Sequence, residues 1–382
     1  MNALESKLPN VGTTIFTVMT RLAEQHGAVN LSQGFPEFQP PEGLLDRLRH
    51  HLGTRCHQYQ PMPGAVRLRE AIAGKLAALY GVHVDPDSAI TITSGATEAL
   101  FCAIQAVVRP GDEVIMFDPA YDSYEPSVLL AGGHATHVPL LPPDFAYDWD
   151  RLRARVSDRT RLVIVNSPHN PSGRLLTRAD LDELAAILRP YACYVLSDEV
   201  YEHVVFDGAE HATVLAQPEL AERSFAVFSF GKTYHATGWK LGYCVAPRAL
   251  TEELRRVHQY VTFASAGPLQ LALADFLAEH PEHHLELPSF YQRKRDEFLE
   301  LLRGSRFRAT PAAGTYFQLA DYGEISDLDD VEFTRWLTIE HGVAAIPISV
   351  FYREPPPARL VRFCFAKERP TLEAAADRLR AL

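Results

Sequence analysis

Residues 229–243 read SFGKTYHATGWKLGY, which sets Lys232 among small and hydroxyl-bearing neighbours and places a second lysine, Lys240, eight positions further on. Small residues around an amine let a rigid ligand approach the backbone closely. A lysine in such surroundings can serve as a covalent nucleophile. Upstream, Asp198 directly follows the apolar run CYVLS and Tyr201 comes three residues later. Burial at a strand end raises a carboxylate's pKa unless a cation stands opposite it, so Asp198 implies a buried cation. Gly95, Ala96 and Thr97 follow the run AITIT and open a helix. Their N–H groups and the Thr97 hydroxyl suit a phosphate at the positive end of the helix dipole, and a plain N-cap by Ser94 accounts for them equally well. One cofactor uses a lysine, an aspartate, a phosphate cup and a flat aromatic together, namely pyridoxal 5′-phosphate.

Other chemistries fail on spacing. Gly231-Lys232-Thr233 resembles the end of a P-loop, but that motif needs a glycine where Ala226 stands. There is no GxSxG, no HExxH and no GxGxxG after the first strands. His134, His137 and the His283-His284 pair read as surface histidines, so no metal is expected.

The elements that must position these residues alternate. AITIT (89–93), EVIMF (113–117), RLVIV (161–165), CYVLS (193–197) and SFAVFSF (224–230) are short apolar runs separated by amphipathic stretches. Strands apolar on both faces and alternating with helices predict an α/β core with a mainly parallel sheet. In such sheets ligands sit beyond the C-terminal strand ends, where these residues fall. Past about residue 280 the pattern changes to a long helix (285–303), a helix near 329–341 and the strand-like VAAIPI and LVRFCF, which predicts a smaller α+β domain.

The 382 residues carry 37 basic and 48 acidic side chains, a net charge of −11 that argues against broad contact with nucleic acid or anionic membrane. Five scattered cysteines without a CxxC pair fit a reducing compartment. The stretch MNALESKLPNVGTTIF lacks a signal-peptide layout, no apolar run is long enough to span a bilayer, and a cytoplasmic location is expected.

Taken in order, NLSQGFPEF, YQPMPGAVRLREAIA, TSGATEAL, DPAYDSYEP, NSPHNPSG, LSDEVYEH, SFGKTYHATGWKLGY and LVRFCFAKE resemble the fold-type I pyridoxal-phosphate aminotransferases of class I/II. The likeness is nearest to the methionine, glutamine and kynurenine aminotransferase branch. It implies that Lys232 forms the internal aldimine and shuttles the proton, that Asp198 pairs with the pyridinium nitrogen, and that Asn170 and Tyr201 hydrogen-bond the phenolate oxygen. Tyr121 would stack on the ring. Ala96, Thr97, Ser229 and Lys240 would hold the phosphate, with Tyr59 reaching in from a partner subunit. Lys240 departs from the arginine of most relatives, and a lysine is a point charge without the bidentate fork. Arg362 would clamp the substrate α-carboxylate, helped by Gly34 and Asn170, while Asn166 supports the NSPHNPSG turn.

The resemblance therefore implies a homodimeric transaminase that moves the amino group of a neutral, sulfur-containing or aromatic L-amino acid, methionine foremost, to a 2-oxo acid. A carbon–sulfur β-lyase on the same fold is the alternative. The expected division is an N-terminal arm with part of the small domain at 1–45, a large cofactor-binding domain at 46–282 and a C-terminal small domain at 283–382.

Overall fold

The computed structural model describes residues 5–382, so the first four residues of the N-terminal stretch and of the expected arm lie outside the described residues. A seven-stranded sheet runs in the order Ile90–Thr93, Gly242–Val245, Ser224–Ser229, Tyr194–Asp198, Thr160–Asn166, Glu113–Asp118, His134–Pro139. Each strand pair is parallel except the two made by Gly242–Val245, which runs against both its neighbours. The interior strands are almost wholly buried, as their unbroken apolar runs require, because helices cover both faces.

Two strands differ from the sequence reading. HATHVP (134–139) is an edge strand too polar to show as an apolar run, and its burial is mostly partial. Its His137 is therefore no surface residue: Nδ1 lies 2.7 Å from Asp118 Oδ1, with the side chain only 13% exposed. His284 is likewise buried. The second missed strand, Gly242–Val245, is four residues long and directly follows the lysine-rich turn.

The C-terminal part holds a separate antiparallel sheet, Ile346–Pro347, Leu360–Cys364, Phe317–Asp321. The run VAAIPI does not form one strand. Val343–Ala344 pairs in parallel with Val29–Asn30 of the N-terminal segment, and Ile346–Pro347 pairs with Leu360–Cys364. A second apolar core under this sheet gathers Leu31, Phe298, Phe317, Phe333, Leu337 and Phe363. The N-terminal segment thereby delivers Ser32 and Gly34 to the same edge of the molecule as the C-terminal strand carrying Arg362.

Candidate active site

Asn166, Asp198 and Ser229 are the last residues of three adjacent parallel strands, so their side chains emerge together at one sheet edge. Lys232 sits in the one-turn helix Phe230–Thr233 directly after the third strand. A cleft of about 290 Å³ opens there. Its lining includes Gly34, Gly95, Ala96, Thr97, Tyr121, Asn170, Asp198, Tyr201, Ser229, Lys232, Lys240 and Arg362. Every candidate residue named from the sequence is thus brought to one place except Tyr59, which is 84% exposed and packs edge-on against Phe263 at 5.5 Å.

The glycines near Lys232 do more structural work than their ligand-approach reading allowed. A Cβ on Gly231 would lie 2.9 Å from Thr237 Cα, and one on Gly242 would lie 2.7 Å from the Ala96 nitrogen. Both let backbone pack on backbone. Gly95, by contrast, opens toward a functional side chain, since a Cβ there would come within 3.2 Å of Lys240 Nζ.

At one end of the cleft, the helix Ala96–Val107 starts at Gly95 with no side-chain cap. Ser94 is not the cap: its N–H is held by Glu98 Oε2. Glu98 in turn accepts from His258, whose other ring nitrogen lies 3.1 Å from the Met62 carbonyl. The trio Glu98, Cys102 and His258 brings three ligand-type atoms within 4.8 Å, but its His and Glu atoms are already engaged with one another. The Lys240 ammonium lies over this uncapped helix start, on a left-handed backbone (φ 52°), and has no ion-pair partner among the described residues. A cation converging on the positive end of a helix is a site for an anion with several acceptor oxygens.

In the middle, the Asp198 carboxylate is buried, accepting from the Tyr124 hydroxyl at 2.6 Å and the Val200 N–H at 3.3 Å. Burial outweighs these bonds and pushes its pKa up to about 6. Lys232 Nζ lies 3.2 Å from the Gly34 carbonyl and 3.0 Å from the Tyr316 hydroxyl, with the Tyr201 and Tyr316 rings each 5.5 Å away. Burial is the main reason its pKa falls to about 8.

At the other end, Arg362 is buried between the rings of Phe317 and Phe16, at 3.8 and 5.2 Å. Its Nη1 donates to Asn170 Oδ1 at 2.8 Å and its Nη2 to the Ser32 carbonyl at 3.0 Å. Nε has no partner, and no carboxylate pairs with the guanidinium among the described residues. Asn166 braces the turn, donating to the Asp198 carbonyl and accepting from the Asn170 N–H, both at 2.8 Å.

Tyr124 and Tyr316 were missed by sequence reasoning. Tyr124 opens the helix Tyr124–Leu130 three residues after Tyr121, a spacing that tells nothing of Asp198. Tyr316 enters from a segment 84 residues away from Lys232.

These geometries have counterparts. Residues 27–379 match the family described as aminotransferase class I and II. The chain belongs to that family. It is 57% identical to the methionine aminotransferase of Escherichia coli strain K12, over 99% of this chain and 98% of that protein. It is 31% identical to human kynurenine–oxoglutarate transaminase 1, over 98% and 97% of the two chains. Superposed on the solved structure of an E. coli protein whose reactivity identifies a methionine aminotransferase function, it gives a TM-score of 0.97 at 56% identity, covering both chains fully. This aminotransferase has the fold-type I architecture and is a pyridoxal-phosphate enzyme. The cleft fits that cofactor: the anion site at Lys240, the buried carboxylate lacking a full counter-charge and the confined amine are the three fixed points it requires.

The Asp198 environment has a measurable consequence in the cofactor-free aminotransferase. Its folded pKa of about 6 exceeds the ordinary 3.8, so the fold favours the protonated acid. The stabilising contribution is complete below pH 3.8 and is lost as pH rises through about 6. Asp198→Asn is therefore expected to stabilise the cofactor-free protein by up to about 3 kcal/mol near neutral pH, with the gap closing as the pH falls to about 4. Thermal unfolding across that range checks it. A variant equally or less stable at neutral pH contradicts the assignment.

Proposed function

We propose that the cleft residues divide among cofactor and substrate as their positions suggest. The observation that carries this reading is a half-buried amine and a buried carboxylate set between a lysine without an ion-pair partner at a helix start and an arginine without one, all in one cleft. Ala96, Thr97, Ser229 and Lys240, with the Gly95 turn, hold the phosphate. Asp198, oriented by Tyr124, keeps the ring nitrogen protonated. Asn170 and the Tyr201 hydroxyl face the phenolate oxygen, and Tyr121 lies against the ring. Bound pyridoxal phosphate supplies an electron sink for the pair left when the substrate loses its α-proton.

Lys232 is the covalent attachment point and the proton carrier. With a pKa of about 8 it holds a usable neutral fraction near physiological pH, so its lone pair can take the α-proton once the substrate's amine has displaced it. Arg362 has five N–H donors in a planar fork, of which two are engaged, and it turns the remainder to the substrate α-carboxylate beside Gly34. Asn170 contributes through its bond to Nη1 and fixes the fork's angle.

The substrate we assign is a neutral, sulfur-containing or aromatic L-amino acid, methionine foremost, with a 2-oxo acid as acceptor. The 57% identical relative bears the name methionine aminotransferase. The charge of the cleft agrees with that choice. Among the described residues the cations lining it are Lys232, Lys240 and Arg362, each already given a task, so a side-chain carboxylate would be buried without a partner. Phe16 and Phe317 offer apolar surface instead. Methionine is expected to convert the yellow holoenzyme to its amino form with an efficiency about 10²-fold above aspartate, followed by loss of visible absorption. Preference for aspartate would overturn the substrate assignment.

The working unit in this reading is a homodimer, with Tyr59 of the partner subunit reaching the phosphate. Tyr59, Tyr260 and Phe263 are exposed aromatics on one chain, and association would cover them. Among the described residues no helix is long and apolar enough to cross a membrane. The cytoplasmic location and the division at 1–45, 46–282 and 283–382 belong to the same proposal.

A further inference from the structure

Three segments distant in sequence meet at the Lys232 amine. Tyr316 is fully buried, and its hydroxyl donates to the Gly34 carbonyl at 2.6 Å. Having spent its one proton there, the hydroxyl presents only lone pairs to Lys232 Nζ, 3.0 Å away. The Gly34 carbonyl, with two lone pairs, also accepts from Nζ at 3.2 Å. The two acceptors thus sit side by side and are locked to each other.

A neutral amine carries two N–H bonds and one lone pair. If both hydrogens are taken by the Gly34 carbonyl and the Tyr316 hydroxyl, the lone pair has one direction left. The same holds after protonation: the ammonium has three hydrogens, two are engaged, and the third is the one just received. Neither acceptor can supply a proton of its own at neutral pH, because the carbonyl has none and the phenol is held far above its usual range by burial. The transferred proton therefore stays on the nitrogen until it is passed on.

We infer that Tyr316 is a positioning residue for proton transfer: with the Gly34 carbonyl it forms the seat that receives the released Lys232 amine and aims its lone pair at the substrate's α-carbon. The inference deepens the proposed function and rests on Lys232 being the proton carrier. The balance is simple. The nitrogen takes H⁺ from the α-carbon, the C–H electron pair passes to the electron sink that bound pyridoxal phosphate would supply, and the nitrogen would then deliver that H⁺ to the cofactor's aldehyde-derived carbon, not back to the α-carbon.

Tyr316→Phe keeps the ring and removes only the acceptor. In the holoenzyme, the single-turnover rate with methionine is expected to fall about 10- to 100-fold, with a larger isotope effect for α-deuterated methionine and little change in apparent substrate affinity. In the cofactor-free protein, an amine-modifying reagent read by peptide mapping should show the pH midpoint for labelling Lys232 move downward, because the ammonium has lost a hydrogen-bond acceptor. A ring that merely packs would move neither. Wild-type rate and isotope effect overturn the inference, whether or not the midpoint moves. If the phenylalanine variant does not fold, 3-fluorotyrosine placed at position 316 alone, a weaker acceptor of the same shape, should lower the midpoint and the rate by smaller amounts; unchanged values overturn the inference. Failure of the parent reading is distinguishable, since it shows as turnover retained by Lys232→Ala.

Discussion

Lys232→Ala is expected to lower kcat by about 10³-fold or more while the protein still folds and holds some cofactor. Two losses combine. The covalent attachment goes, and with it the positioned base, whose contribution alone is typically about 10²–10⁴-fold. The folded state should survive, because the half-buried amine's lowered proton affinity marks an unfavourable environment for its charge. Cofactor retention follows from the separate anchors at Lys240, the helix start after Gly95, and Asp198. Steady-state kinetics on cofactor-loaded variant, with bound cofactor measured after denaturation, checks both halves. Turnover near the wild-type rate would remove Lys232 from the reaction.

Arg362→Lys is expected to lower kcat/KM for methionine by about 10²–10³-fold, with most of the loss in substrate affinity. A charge-assisted hydrogen bond contributes about 1.5–3 kcal/mol, and an ammonium cannot present a planar pair of donors to a carboxylate. The shorter reach also forfeits the bonds to Asn170 Oδ1 and the Ser32 carbonyl and the stacking on Phe317 at 3.8 Å. Arg362→Leu should cost more than Arg362→Lys, since it also removes the positive charge that faces the substrate carboxylate. A lysine variant within a fewfold of wild type would mean that Arg362 is a structural cation of the aromatic sandwich.

The parallel sheet was legible because burial on both faces writes itself as unbroken apolar runs, as in RLVIV and CYVLS. His134–Pro139 was hidden because an edge strand needs no such run, and its burial pattern is mostly intermediate. His137 looked like surface for the same reason, although Asp118 holds it from across the strand pair. At the site, the residues just C-terminal to each apolar run were open to inspection, and they include Thr97, Asp198 and Lys232. Tyr124, Tyr316 and the ring sandwich around Arg362 are long-range contacts, spanning 74 residues for Tyr124 and Asp198 and 84 for Tyr316 and Lys232. No local pattern encodes such pairings. The glycine-rich setting of Lys232 was read as room for a ligand, whereas Gly231 and Gly242 are needed first for backbone to meet backbone.

Every role proposed for the cleft depends on the ε-amine of Lys232 carrying the cofactor opposite Asp198. Borohydride reduction of the purified yellow holoenzyme, followed by proteolysis and mass spectrometry, tests this most directly. A single phosphopyridoxyl-bearing peptide is expected, from the SFGKTYHATGWK region, with the added mass on Lys232. Added mass on Lys240 instead, or an unlabelled Lys232 in protein that remains catalytically competent after reduction, would contradict it.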